Sequence, residues 1–144
     1  MPAAYEFEHA VDVAASSRAA WEFWTRVENW KVDPHVEWVT IDGEFREGAT
    51  GETKQQGQPP ARWRVVEARP PERSVIAVEL PGATARFEMS FEPVSQDASR
   101  LRQRITLEGP QAKLLASGLG PMFDEGVRMG MRRLADAIAK SREP

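Results

Sequence analysis

The 144-residue chain has no cysteine. Disulfide staples, thiol nucleophiles and cysteine-ligated metals are therefore excluded. Histidine is almost as scarce, with only His9 and His35. A metal centre would have to lean on carboxylates, which disfavours zinc and iron, so neither metal nor cofactor is expected. Charge of one sign is also missing: 19 Lys+Arg stand against 22 Asp+Glu, a formal charge of -3. Arginines and glutamates interleave, so no nucleic-acid footprint is expected. No apolar run approaches the roughly 20 residues of a membrane span. The first thirteen residues carry Glu6, Glu8 and Asp12 and lack the basic-then-apolar layout of a secretory leader. No Gly-rich phosphate loop, Ser-His-Asp layout or metal-ligand cluster stands out. What remains is the expectation of a cytoplasmic globular protein. Its length and its 41% hydrophobic content predict one domain over residues 1–144.

What is present is mostly alternation. Tyr5, Phe7, His9, Val11 and Val13 share one face of a period-two segment, with Glu6, Glu8, Ala10 and Asp12 on the other. This predicts a half-buried strand. Ser16 or Ser17 then suits a helix N-cap before Ala20, Trp21, Trp24 and Val27. That helical pair is short and ends by Val32-Asp33-Pro34. Further strands are predicted over 36–41, 51–56, 62–69, 74–80, 83–91 and 100–108. Prolines at 59–60, 70–71, 81, 93 and 110 punctuate them, since a residue without an N–H suits strand ends and turns. Ala85, Phe87, Met89 and Phe91 oppose Arg86, Glu88, Ser90 and Glu92; Leu101, Gln103, Ile105 and Leu107 oppose Arg102, Arg104 and Thr106. One dry and one wet face predict an antiparallel sheet, its outer face laced with cross-strand ion pairs.

The period then lengthens. Leu115, Leu119, Met122, Phe123, Val127, Met131, Leu134, Ala135 and Ile138 recur three to four apart. Gly118 and Gly120-Pro121 predict a break or kink, with Pro121 in the first turn of a helix over about 122–140. Asp124 and Glu125 would then complement the dipole at that helix's start. The predicted fold is α+β: a curved antiparallel sheet of about seven strands wrapped around a long C-terminal helix, with two short helices after the first strand.

This order resembles the helix-grip fold of the START-like (SRPBCC) superfamily, and in particular its polyketide cyclase/dehydrase and lipid-transport branch. Val13–Trp21 is similar to the family's opening strand, small-residue turn and helix. Glu28-Asn29-Trp30 through Pro34-His35-Val36, then Gly48-Ala49-Thr50-Gly51, Pro70-Pro71-Glu72-Arg73, Glu108-Gly109-Pro110 and Leu134-Ala135, follow the family's order. The resemblance implies a deep cavity between sheet and long helix that holds a small apolar or aromatic molecule. It implies no activity, because the superfamily includes carriers, receptors, cyclases and chaperone activators.

Candidate site residues follow from the inward faces. His9 would present a polar group to the cavity, as a hydrogen-bonding partner, an acid/base, or a structural core histidine. Gln103 interrupts an apolar face and needs a partner, whether ligand, water, His9 or local backbone. Phe7, Phe87, Met89, Met122, Phe123 and Val127 would line the wall, where methionine adapts to varied shapes or simply fills a core. Trp30 and Trp38 fall near the expected mouth and could stack on a flat ligand; Trp21 and Trp24, at helical spacing, read as core. The expected function is binding of a small hydrophobic ligand by a monomer or homodimer. One alternative is a cyclase/dehydratase with His9 as acid/base and Gln103 orienting a carbonyl. Another is a partner module using the sheet face, of the chaperone-ATPase-activator type.

Overall fold

The computed structural model describes residues 5–141, apart from the side chains at 5, 119, 122 and 123. Strand β1 (Tyr5–Val13) leads into helix α1 (Ser17–Thr25) and a 3₁₀ helix (Val27–Val32). Six strands follow: β2 (Val36–Ile41), β3 (Thr50–Gln55), β4 (Ala61–Arg69), β5 (Arg73–Leu80), β6 (Ala83–Ser95) and β7 (Ala98–Glu108). Helix α2 (Ala112–Ser141) closes the chain. The strands form one antiparallel sheet in the order β1-β7-β6-β5-β4-β3-β2, so the first and last strands in sequence lie side by side. Ser16 caps α1 by accepting the Ala19 N–H at 3.1 Å, which satisfies one of the donors a helix start leaves free.

The outer face is the ion-pair ladder that alternation predicts. Arg102 bridges Glu8 (2.9 Å) and Glu92 (3.0 Å), Arg104 meets Glu6 (2.8 Å), and Arg100 meets Asp12 (2.8 Å). The guanidinium hydrogen bonds hold the Asp12 and Glu92 carboxyls below their ordinary range.

The inner face divides its apolar side chains among three clusters. Met89, Phe91, Leu101, Trp21 and Val13 pack beneath Met131, Leu134, Ala135 and Ile138 of α2. Trp63, Val65, Ile76 and Val27 form a second cluster at the β4–β5 end. Ala83, Ala85, Leu107 and Ala112 form a third, with Leu115 and Ala116 of α2 at its margin. Helix α2 is thus anchored near both ends. The turn feeding it needs Gly109, whose φ of +122° disfavours other residues and where an added Cβ would crowd the Gly82 carbonyl.

Three expectations are corrected here. Helix α2 is not broken at Gly118–Pro121 but runs continuously for 30 residues with Pro121 inside it. The apolar anchors on both sides of the proline favour one helix despite the N–H that Pro121 cannot donate to Ser117. Asp124 consequently sits mid-helix, and it pairs with Arg128 at 2.6 Å rather than complementing a helix start. Pro93 does not end β6, which continues to Ser95 through an irregularity in its pairing with β7. Beyond Ser90 the strand has lost β5 as a neighbour, so the absent N–H leaves no ladder position unfilled on that side.

Candidate functional site

Sheet register assembles the site. His9 on β1 is the cross-strand neighbour of Gln103 on β7, and Gln103 is the neighbour of Met89 on β6, itself opposite Ser74 on β5. The adjacent inward row runs Phe7, Ile105, Phe87, Ile76. A mostly apolar concave face thus carries a polar pair at its β1 edge.

The far end of the polar row is closed. Ser74 is fully buried, and its Oγ accepts the Trp24 indole N–H at 3.3 Å. Met89 is 1% exposed and packs among Trp21, Phe91 and Met131. The near end differs: His9 and Gln103 remain partly exposed, and neither side chain makes a hydrogen bond with another described residue. Phe7 and Phe87 are also only partly buried, on either side of a buried Ile105.

Helix α2 adds charge to this edge. The Arg128 guanidinium carbon lies 5.5 Å from the centre of the Phe7 ring, within reach of a cation–π contact. Its Nε donates to Asp124 Oδ1. Burial holds the His9 imidazole below its ordinary pKa, and the charges of Arg128 and then Arg132 push it the same way; Asp124 opposes them. These influences favour the neutral imidazole, which can accept a proton or a hydrogen bond. The Gln103 amide offers both a donor and an acceptor.

Register and alternation put Phe7, His9, Gln103 and Phe87 on one face of the sheet, while Val127 of α2 packs against the core cluster around Met89 and Met131. Met122 and Phe123 lie outside the described side chains. Three expected lining residues belong elsewhere. Met89 is sealed within the core because α1 and the end of α2 cover it. Trp30 is locked in an indole ladder, stacked on Trp24 at 4.8 Å and tilted against Trp63 at 5.1 Å, with its N–H donated to the Trp24 carbonyl. Trp38 is 39% exposed on edge strand β2. Its chain neighbour Val39 packs into the core, so Trp38 falls on the opposite, outer face, opposite Lys54.

Sequence reasoning passed over Arg128 and Arg132. The available signal was the spacing of Asp124, Arg128 and Arg132, four residues apart and therefore on one helical stripe. That stripe acquires meaning only once α2 is known to lie against β1. Among the described residues, no three His, Cys, Asp or Glu converge as a metal site, and no helix is long and apolar enough to cross a membrane.

The fold is shared with solved structures of low sequence identity. Norcoclaurine synthase from Thalictrum flavum, in complex with dopamine and hydroxybenzaldehyde, matches with a TM-score of 0.75 at 12% identity, over 97% of this chain and 88% of that one. The di-domain ARO/CYC BexL from the BE-7585A biosynthetic pathway matches with a TM-score of 0.78 at 18% identity. The match covers 97% of this chain but only 48% of BexL, so this chain spans about half of that protein. A conserved protein from Geobacillus kaustophilus gives a TM-score of 0.74 at 16% identity, covering 95% and 97%. No curated protein matches the chain. The family model described as polyketide cyclase / dehydrase and lipid transport matches residues 4–141. With the helix-grip architecture and the inward polar pair in view, the chain belongs to the polyketide cyclase/dehydrase and lipid-transport family.

Proposed function

We propose that this protein binds a flat, largely apolar molecule between α2 and the concave sheet, and that His9 and Gln103 hydrogen-bond a carbonyl or hydroxyl of that molecule. One observation carries the reading: two cross-strand polar side chains face an otherwise apolar interior, and neither has a hydrogen-bond partner among the described residues. Both side chains are partly exposed, so each keeps hydrogen-bonding capacity that a carbonyl-bearing ligand can take up in place of water. Phe7, Phe87 and Val127 would supply apolar contact, and Met122 and Phe123 are retained as further candidate lining.

A second reading is catalytic, and the downward pull on the His9 pKa favours it, because it favours the proton-accepting form. A neutral imidazole can remove a proton from the carbon next to a ligand carbonyl. The C–H electron pair passes to the carbonyl oxygen, where the Gln103 amide can donate to the enolate. Attack of that enolate on a second carbonyl of the same molecule would form a ring, and His9 would return its proton to the new alkoxide. This is cyclase chemistry without a cofactor.

Two variants separate the readings. Under binding alone, His9→Ala and Gln103→Leu each weaken affinity for an aromatic ketone by about 1–3 kcal/mol, with no reaction to lose. Under catalysis, His9→Ala lowers turnover by about 10²–10⁴-fold while affinity changes little. Calorimetric titration together with product analysis reads both. If neither substitution shifts affinity or product formation beyond twofold, both residues are structural and the proposal is wrong.

A further inference from the structure

The stripe on α2 narrows the ligand chemistry, on the premise that the interior binds an aromatic molecule as proposed above. Asp124, Arg128 and Arg132 stand four residues apart on one stripe of α2, of which Arg128 reaches the Phe7 ring next to His9, and these are the helix-side charges that bear on His9. From the sheet side, the inward neighbours of His9 on its own strand, Phe7 and Val11, are uncharged, as is Gln103 across from it. Glu6, Glu8 and Asp12 alternate onto the outer face, where Arg104, Arg102 and Arg100 hold them. The local balance at this edge is therefore two arginines against one aspartate, a surplus of one positive charge.

The surplus is poorly consumed inside the protein. Arg128 is ion-paired with Asp124 through its Nε and lays its guanidinium near Phe7, so this pair is neutral and the surplus rests on Arg132. Arg132 makes no ion pair or hydrogen bond with any described residue. A helical stripe that carries one unpaired arginine, and whose paired arginine lies over the Phe7 ring beside His9 and Gln103, suits a flat ring carrying an acidic oxygen. Arginine forks favour carboxylates and related oxyanions.

We propose that the ligand is an aromatic or conjugated molecule bearing an anionic oxygen, a carboxylate or an ionised enol, and that it lies with that oxygen toward Arg128 and Arg132 at the β1 edge. The ring then sits against Phe7 and Phe87, and His9 with Gln103 reaches a neighbouring carbonyl or hydroxyl.

The test uses two probes of equal shape and different charge, 2-naphthoate and 2-naphthamide, titrated against the wild-type protein with tryptophan fluorescence and calorimetry. The expected result is a preference of about tenfold for naphthoate at low salt, as befits charge-assisted hydrogen bonds. That preference should shrink as salt shortens the screening length, and Arg128→Gln or Arg132→Gln should bring the affinity ratio toward one. Both positions are exposed, so neither variant is expected to unfold. Equal binding of the two probes to the wild type, or a naphthoate preference that survives both arginine substitutions, overturns this assignment while leaving the aromatic site intact. If neither probe binds, the aromatic site itself is refuted, and this assignment with it.

Discussion

Gly51 is the position where a single methyl group should do the most damage. It sits on β3 between Ile41 of β2 and Trp63 of β4. A Cβ built there would collide with Cζ2 of Trp63 and with the main-chain oxygen of Thr40, well inside van der Waals contact. Neither obstacle can step aside cheaply. Trp63 is 5% exposed, packs against Trp30, and donates its indole N–H to Thr53 Oγ1 at 2.9 Å. The Thr40 oxygen belongs to the strand itself, so relief there means separating β2 from β3. Overpacking a filled site commonly costs about 1–3 kcal/mol; a clash against both an anchored indole and backbone places Gly51→Ala at about 3 kcal/mol. For a chain of this length that is a melting shift of about 10 °C. Gly43→Ala is the control. Its φ of +84° is strained for alanine, but nothing lies within 4 Å of the new methyl, so only the conformational cost of about 1 kcal/mol applies. Urea unfolding followed by tryptophan fluorescence and by far-UV circular dichroism reads both. The reasoning is refuted if Gly51→Ala is no more destabilising than Gly43→Ala.

Three further outcomes are expected. The folded-state pKa of His9 lies below 6.5, so the unfolded chain binds this proton first; stability should fall as pH drops from 6.5 toward the folded value, then level off. His9→Gln should remove that component in unfolding curves across the range, and an imidazole resonance titrating above 6.5 in the native protein would contradict it. Pro121→Ala supplies the N–H that the Ser117 carbonyl lacks in α2, with an expected gain of up to about 3 kcal/mol in thermal unfolding; no gain would mean the helix is interrupted in solution. Arg102→Ala removes a guanidinium shared by Glu8 and Glu92 on the exposed face. The loss should be small and should vanish near about 1 M salt, where screening acts over about 3 Å; a loss insensitive to salt would point to packing of the arginine stem instead.

The elements were legible because nearly all of them announce themselves over short windows. Period two in Tyr5–Val13, Ala83–Phe91 and Leu101–Leu107 places the dry face correctly, and Ser16 marks the start of α1. The errors share a different character. Proline and glycine around position 120 are strong local breakers, yet α2 is held by Leu115 and Ala116 on one side and by Met131, Leu134 and Ile138 on the other. Tertiary anchoring outweighs a local cost of a few kcal/mol, and no window near Pro121 contains that information. Trp38 was misplaced for an equally nonlocal reason: the β2–β3 pairing shifts register between Val36 and Trp38, and a one-residue slip exchanges the two faces of a strand.

The candidate site depends on the same distinction. Alternation alone turns His9 and Gln103 inward, but they stand far apart in the chain, and only the closing of β1 onto β7 makes them neighbours. Alternation likewise turns Met89 inward without saying whether it meets a cavity or a core; α1 decides, because Trp21 and Trp24 cover that part of the sheet. The helices thus divide one concave face into a sealed half and a half whose polar groups remain unpartnered. Charge follows the same logic. Arg128 and Arg132 look like ordinary solvated helix residues in sequence, and they act on His9 only because α2 crosses to the β1 edge between its two apolar anchors. The chemistry of the site is therefore set less by any motif than by where a helix gripped at both ends is forced to pass.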